Sequence, residues 1–172
     1  MKIFKTLLFV AVTALTLASC STGKKAGGEL DVAKLEAAQT IRTLLKNGEF
    51  TVMAGSMRPL SGPTVSVAQG RKIIVRDGMI TCALPYAGSA MFAGYGASGY
   101  KAMDFTAPIT GYNVEFPKQD RARVTFDVNN GDDSYKFHIE VFMNGKTTID
   151  VMPRGRDAVS YSGMLHSNDI LN

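Results

Sequence analysis

A histidine, an aspartate and a serine are the residues of this sequence that most resemble a catalytic set. The hairpin registers predicted below place His138, Asp150 and Ser160 in one row across three strands, with Arg123 beside them. In a nucleophilic triad the histidine lies between serine and aspartate, where it accepts the serine's proton. Here Asp150 lies in the middle, so the row is interpreted as a cross-strand polar network, and no catalytic residue is assigned.

GYGASG at 94–99 matches the G-x-G-x-x-G pattern of dinucleotide-binding loops. Such a loop needs a strand before it and a helix that begins at its third glycine. Pro85 ends the preceding strand, and a β-like stretch, 104–108, follows the glycines. The context argues against a nucleotide site, and no cofactor is expected.

The same stretch is rich in aromatic residues, and two interpretations of it stay open. In the first, the glycines bend the chain between strands and the aromatic rings pack down as a lid. In the second, the rings line a groove for a sugar or a peptide, because rigid rings with polar tips suit such ligands. The candidate ligand-binding residues are Tyr86, Phe92, Tyr95 and Tyr100.

The sequence offers little for a metal ion. Its two histidines, His138 and His166, have no ligand partner close in sequence. The stretch DVNNGDD at 127–133 resembles a calcium loop, but its glycine comes one place early and no glutamate occupies the twelfth position. No metal site is expected, and Cys82 is interpreted as a small core residue.

The N-terminus has the pattern of a bacterial lipoprotein leader. Lys2 and Lys5 precede a short apolar run, and Leu-Ala-Ser-Cys at 17–20 resembles a lipobox. We therefore expect a signal peptide over 1–19, and lipid attachment at Cys20. The polar segment that follows is expected to be a flexible tether, so that the lipidated cysteine and tether cover 20–28.

The remaining residues, 29–172, are expected to form one domain. Loss of the two leader lysines lowers the formal net charge from +4 to +2. No basic run extends beyond Lys24 and Lys25, which excludes a nucleic-acid-binding stripe. The membrane, reached through the lipid, is the expected partner, beside a small ligand, a glycan or an envelope protein; the sequence leaves the oligomeric state open.

Location within the envelope is predicted from the residues after Cys20. Ser21 is not the aspartate that retains some lipoproteins at the inner membrane, and the following residues lack an acidic surface-export run. We expect the chain to lie at the outer membrane, facing the periplasm rather than the cell surface.

One helix precedes a chain that otherwise has β character. The apolar spacing from Leu30 to Leu45 predicts an amphipathic helix, with Asp31 as its N-cap and Asn47-Gly48 as its end. From Phe50 onward the sequence alternates between apolar and polar residues. The fold class is therefore α+β: one N-terminal helix packed on a strongly curved antiparallel β-meander of about 8–10 strands, with a partly closed barrel as one form of it.

Three turns set the predicted registers. Asp77-Gly78 is a two-residue turn that pairs Val75 with Ile80. Met143-Asn144-Gly145 is a three-residue turn with Gly145 at positive φ, and it pairs Ile139 with Ile149.

Asn130-Gly131 is also predicted to be a two-residue turn. This register pairs Phe126 with Tyr135 and sets Arg123 opposite His138.

Three segments carry a resemblance to a known family: LPYAG at 84–88, FMNGKTTIDV at 142–151 and VSYSG at 159–163. In this order they resemble an uncharacterised family of Bacteroidota envelope proteins, domain of unknown function 4251. The resemblance spans about 50–165 and implies an exported lipoprotein with one mostly-β domain. It implies no activity, cofactor or catalytic residue. Ala87 departs from the family pattern, which has an aromatic residue at this place.

The leading interpretation is a non-enzymatic, lipid-anchored binding or scaffold domain of the cell envelope, with an unknown ligand. The alternative is an envelope hydrolase that acts on glycan or lipid through a pair of carboxylates. Two carboxyl groups about 5–10 Å apart in a cleft favour the hydrolase.

Overall fold

The computed structural model describes residues 25–87 and 102–166. The chain divides into two compact units, Met1–Ala33 and Lys34–Asn172. The described part of the first unit is the beginning of a helix, and the second unit holds the rest of that helix and every strand described below.

The described elements are one helix and nine strands. They are α1 (Lys25–Asn47), β1 (Phe50–Pro59), β2 (Val65–Ser66), β3 (Lys72–Arg76), β4 (Met79–Leu84), β5 (Met103–Lys118), β6 (Arg121–Asn129), β7 (Ser134–Phe142), β8 (Lys146–Pro153) and β9 (Val159–Leu165).

The strands form one antiparallel sheet that closes on itself. Neighbours follow the order β2-β1-β3-β4-β5-β6-β7-β8-β9, and β1 also pairs with β9. Eight strands thereby make a barrel, while β2 pairs with the second half of β1. The predicted α+β class and the curved meander are confirmed, and the barrel is fully closed rather than partly closed.

The barrel interior is filled by apolar side chains. Along β6 and β7 every second residue is buried, as the two-residue period of a strand requires when one face is covered. The large fully buried side chains include Phe50, Phe126, Phe137 and Tyr161. Phe126 and Phe137 stack with ring centroids 5.0 Å apart. Because the interior is a packed core, a ligand site is expected on the rim or the outer face of the barrel.

Helix α1 begins earlier than the sequence predicted. It begins at Lys25, inside the predicted tether, so Asp31 lies within the helix and is not its N-cap. The helix includes the two glycines at 27 and 28, although each costs about 1 kcal/mol relative to alanine inside a helix. The predicted end is confirmed, since Gly48 follows Asn47 with φ of 68°.

The C-terminal half of α1 packs against the strands. Ile41 and Leu45 are almost fully buried in the core. The Tyr112 hydroxyl donates to the carbonyl oxygen of Leu45, and the Arg42 guanidinium donates to the carbonyl oxygen of Gln119 at 2.6 Å. The apolar residues of the C-terminal half therefore form the packed face of the helix, whereas Leu35, which belongs to the same predicted stripe, is 64% exposed.

Two of the three predicted hairpin registers are confirmed. Val75 lies opposite Ile80, and Asp77 and Gly78 both have positive φ. Ile139 lies opposite Ile149, and Gly145 has φ of 84°.

The third register is wrong by two residues. Phe126 lies opposite Phe137 and not Tyr135, because the turn has four residues, 130–133. The Asn130 side-chain carbonyl oxygen accepts hydrogen bonds from the backbone N–H groups of Asp132 and Asp133, at 3.1 and 2.9 Å. This Asx turn stabilises the longer loop. A shift of two keeps the same face inward, so the core was still predicted correctly.

The barrel has two ends with different connections. At one end, which we call the turn end, lie 77–78, 119–120 and 143–145. At the other end, which we call the loop end, lie 130–133, 154–158, the end of β4 and the beginning of β5.

Candidate functional site

Two adjoining clefts lie at the loop end, where the β6–β7 and β8–β9 connections meet. Their volumes are about 340 and 370 Å³, each within the range of about 300–1,000 Å³ typical of small-molecule sites. The first is lined by Asn129, Gly131, Asp132, Asp133, Ser134, Arg154, Gly155 and Arg156. The second continues over the outer face of β5 to β8, and the two share Asn129, Ser134 and Arg154. We call this pair of clefts the loop-end cleft.

Arg156 joins three segments at the floor of the loop-end cleft. Its Nε donates to Oδ2 of Asp133 at 3.3 Å, and its Nη2 donates to the Tyr135 hydroxyl at 2.7 Å. The guanidinium carbon also lies 4.8 Å from the centroid of the Tyr86 ring. The Arg156 and Asp133 side chains are 16% and 13% exposed, so this ion pair is well shielded from solvent.

The wall formed by the β6–β7 turn has a fixed backbone. Oδ1 of Asp133 accepts from the backbone N–H of Ser134 at 2.8 Å, and Oδ1 of Asn129 accepts from that of Gly131 at 2.8 Å. Together with the Asn130 bonds described above, these contacts satisfy the turn internally. The cleft is therefore preorganised, which reduces the entropy lost on binding.

Arg154 lies where the two clefts meet. Its backbone N–H donates to the carbonyl oxygen of Ser134 at 2.8 Å, which fixes its position against the opposite turn. Its side chain is exposed. The hairpins therefore hold an exposed guanidinium at the centre of the concave surface.

Tyr86 is the one predicted ligand-binding residue that falls within the described part of the chain. It is 3% exposed, and its hydroxyl donates to the carbonyl oxygen of Asp157 at 3.0 Å. One face of its ring is covered by Arg156. Tyr86 thus packs beneath the loop-end cleft. The other three candidates, Phe92, Tyr95 and Tyr100, lie outside the described residues, so the aromatic groove stays a prediction.

His138, Asp150 and Ser160 lie across β7, β8 and β9 in an order that excludes a catalytic triad. His138 lies opposite Asp150, and Asp150 lies opposite Ser160, whose hydroxyl donates to Asp150 Oδ1. The aspartate therefore separates the histidine from the serine, as predicted. Thr125, and not Arg123, lies opposite His138, because of the two-residue error in the β6–β7 register.

Burial suppresses the ionisation of several nucleophilic groups. Cys82 is fully buried, and desolvation raises its thiol pKa to about 12, so it is a core residue as predicted. Desolvation likewise raises the pKa of Tyr112 to about 12 and raises that of Tyr161. Over residues 25–87 and 102–166, no group of three or more histidine, cysteine or acidic side chains is arranged to hold a metal ion.

The sequence analysis missed the residues of the loop-end cleft. Asp132 and Asp133 were considered only within the calcium-loop-like stretch 127–133, and no role was assigned to Arg154 or Arg156. A usable signal was present, because an acidic pair and an Arg-x-Arg segment occupy turns at the same end of neighbouring hairpins.

The fold and the cleft define a class of protein: a small domain with one helix, a closed antiparallel barrel and a polar cleft at one end. Residues 33–165 match the family model described as Domain of unknown function (DUF4251). The chain belongs to this family, as the sequence resemblance indicated.

A solved structure has the same fold. The crystal structure of a DUF4251 family protein from Bacteroides eggerthii DSM 20697 is similar over 78% of this chain and 87% of that chain. The TM-score is 0.58 and the sequence identity is 15%, so the likeness establishes the fold alone. No curated protein matches this chain. In the part of the chain that the structure describes, no helix is long and apolar enough to cross a membrane.

Proposed function

We propose that this protein is a lipid-anchored, non-enzymatic binding domain of the bacterial cell envelope, and that its ligand occupies the loop-end cleft. The observation that carries the proposal is the construction of this cleft. Two hairpin turns with fixed backbones hold polar side chains around a concave surface of ligand size, while the barrel interior is packed. The lipobox supplies the anchor, and the proposed location is the periplasmic face of the outer membrane.

The hydrogen bond and the ion pair made by Asp133 favour a binding role over hydrolysis. Asp132 and Asp133 both line the cleft, so they are the candidates for the two carboxylates of a hydrolase. Both carboxylate oxygens of Asp133 are occupied, one by the Ser134 backbone N–H and the other by Arg156. Asp133 is therefore interpreted as a structural residue that stabilises the turn and its contact with Arg156.

Filling the cleft tests the binding role. Ser134→Trp places a large ring where the two clefts meet, and Ser162→Trp makes the same change on the outer face of β9, away from both clefts. Fluorescently labelled soluble fragments of the envelope are passed over the immobilised full chain. We expect Ser134→Trp to reduce retention at least about tenfold while Ser162→Trp retains as much as wild type. Equal retention by both variants, or no retention by wild type, contradicts the proposal.

Replacing Cys20 tests the anchor. Cys20→Ser removes the sulfur that carries the lipid, so we expect an uncleaved or soluble species in place of the mature membrane-bound form. The measurement is membrane fractionation, with mass spectrometry of the N-terminus. A mature, lipidated Cys20→Ser protein in the membrane fraction contradicts the lipoprotein assignment.

Digestion of whole cells with protease tests the proposed location. A domain that faces the periplasm stays intact, and removal of the domain from intact cells contradicts that orientation.

A further inference from the structure

Two arginines that are two residues apart have different surroundings. Arg156 is held by Asp133 and by the hydroxyl of Tyr135. Arg154 lines both clefts, and within the described residues its guanidinium has neither an ion pair nor a hydrogen bond. Lys136, the other cation of the second cleft, lies 3.8 Å from a carboxylate oxygen of Asp127. Arg154 is thus the cation of the described cleft that has no carboxylate partner within the described residues.

Two further donors surround Arg154. The side-chain oxygen of Asn129 is occupied by the backbone N–H of Gly131, which leaves the Asn129 amide nitrogen as a donor. The Ser134 hydroxyl lies beside it, since Asn129 and Ser134 are opposite each other on β6 and β7. An acceptor group at the junction of the clefts can therefore meet a guanidinium, an amide and a hydroxyl.

We propose that the loop-end cleft binds an acidic saccharide, with a sugar carboxylate on Arg154 and the neighbouring sugar hydroxyls along the second cleft. This inference rests on the proposed function and names the ligand class of the same site. A planar guanidinium matches a carboxylate through two parallel hydrogen bonds.

The charge balance of the cleft favours a carboxylate over a phosphate. Three carboxylates line the two clefts, those of Asp127, Asp132 and Asp133, and the cations are Lys136, Arg154 and Arg156. Their formal charges cancel before a ligand binds. A singly charged carboxylate matches the one unpaired guanidinium, whereas the second charge of a phosphate has no further unpaired cation in the described cleft.

The backbone around the cleft favours a saccharide over a peptide. An extended peptide commonly binds by adding a strand to a free sheet edge. β6, β7 and β8 are each paired on both sides, so they have no free edge to offer at the cleft. Side chains of the second cleft such as Thr110, Asp127 and Lys136 instead provide the mixed donors and acceptors that ring hydroxyls require.

Matched ligands and matched arginine variants test the inference by calorimetry on the detergent-solubilised full chain. The probes are a short oligogalacturonate and its methyl ester, in which a methyl group replaces the negative charge of each carboxylate. We expect the acid to bind at least about tenfold more tightly than the ester, and Arg154→Gln to remove that difference. Arg76→Gln removes one guanidinium at the turn end and should leave both affinities unchanged.

Several results overturn the inference. They are equal affinity for acid and ester, full acid affinity in Arg154→Gln, and no binding of oligogalacturonate by wild type. Tighter binding of a peptide with a free C-terminal carboxylate overturns the saccharide class. If Ser134→Trp still abolishes retention of envelope fragments, the binding role stands and only the ligand class fails. Undiminished retention by Ser134→Trp instead contradicts the proposed function itself.

Discussion

Replacing Arg156 by methionine is expected to lower the free energy of unfolding by about 3 kcal/mol. The change keeps most of the side-chain length but removes the guanidinium. Asp133, which is 13% exposed, then has no counter-charge, and the contacts with the hydroxyl of Tyr135 and the ring of Tyr86 are lost. Urea unfolding followed by circular dichroism measures the effect.

Arg154→Met is the matched control for this prediction. Arg154 is exposed and unpaired within the described residues, so its replacement should change stability by less than about 0.5 kcal/mol. In the double variant Asp133→Asn/Arg156→Met the loss should be smaller than the sum of the two single losses, because the two side chains form one ion pair. If Arg156→Met unfolds at the same urea concentration as Arg154→Met, the shielded ion pair does not stabilise the loop end.

Replacing Gly163 by alanine is expected to destabilise the barrel by about 2–3 kcal/mol, since overpacking forces the backbone to shift. Gly163 lies on β9 opposite Ala54 of β1, at the strand pair that closes the barrel. An added Cβ would lie only 2.2 Å from the backbone carbonyl oxygen of Met53 and 3.0 Å from its carbonyl carbon. Backbone atoms cannot move aside as a flexible side chain can, so the closing pair must separate locally.

Gly55→Ala is the matched control on the other side of the same strand pair. A Cβ there lies 3.7 Å from the carbonyl oxygen of Ser162, which is ordinary contact, and the position needs no positive φ. Alanine also restricts the unfolded chain, so stability should be unchanged or raised by about 0.4–1 kcal/mol. The measurement is the midpoint of thermal unfolding of each variant. Equal midpoints for Gly163→Ala and Gly55→Ala would contradict close packing of β1 against β9 at Gly163.

The main features of the fold were predictable because they depend on local chemistry. Asp-Gly at 77–78 admits positive φ at both positions, and Gly145 admits it in a three-residue turn, so both registers were correct. Barrel closure was harder to predict, because the β1–β9 pair joins the first and the last of the described strands, which are far apart in sequence. The glycine of the VSYSG segment is required by that long-range pair and by nothing in its own neighbourhood.

The error at 130–133 shows where local reasoning fails. Asn-Gly favours a two-residue turn, but the Asn130 side chain also accepts hydrogen bonds from the backbone N–H groups of Asp132 and Asp133, and these bonds favour the longer loop over the dipeptide preference. The core pattern could not reveal the error, because a two-residue shift keeps the same side chains inside.

The candidate site was harder still to predict from the sequence. Tyr86 was selected as an amphipathic aromatic residue in a glycine-rich stretch, but tertiary packing buries it beneath Arg156. Arg154 and Asp133 gain their roles from two turns that lie about 20 residues apart in sequence and meet only because β7 and β8 pair between them. No motif marks such a meeting.

The most direct test of a binding cleft at the loop end is a map of backbone amide chemical shifts on addition of soluble envelope fragments to the full chain. A ligand in the cleft should shift the amides of 129–134 and 154–156 and leave those of the turn end, 77–78 and 143–145, in place. The Ser134→Trp variant should lose the loop-end shifts. Shifts centred on the turn end, or an unchanged spectrum, would contradict a binding role for the loop-end cleft.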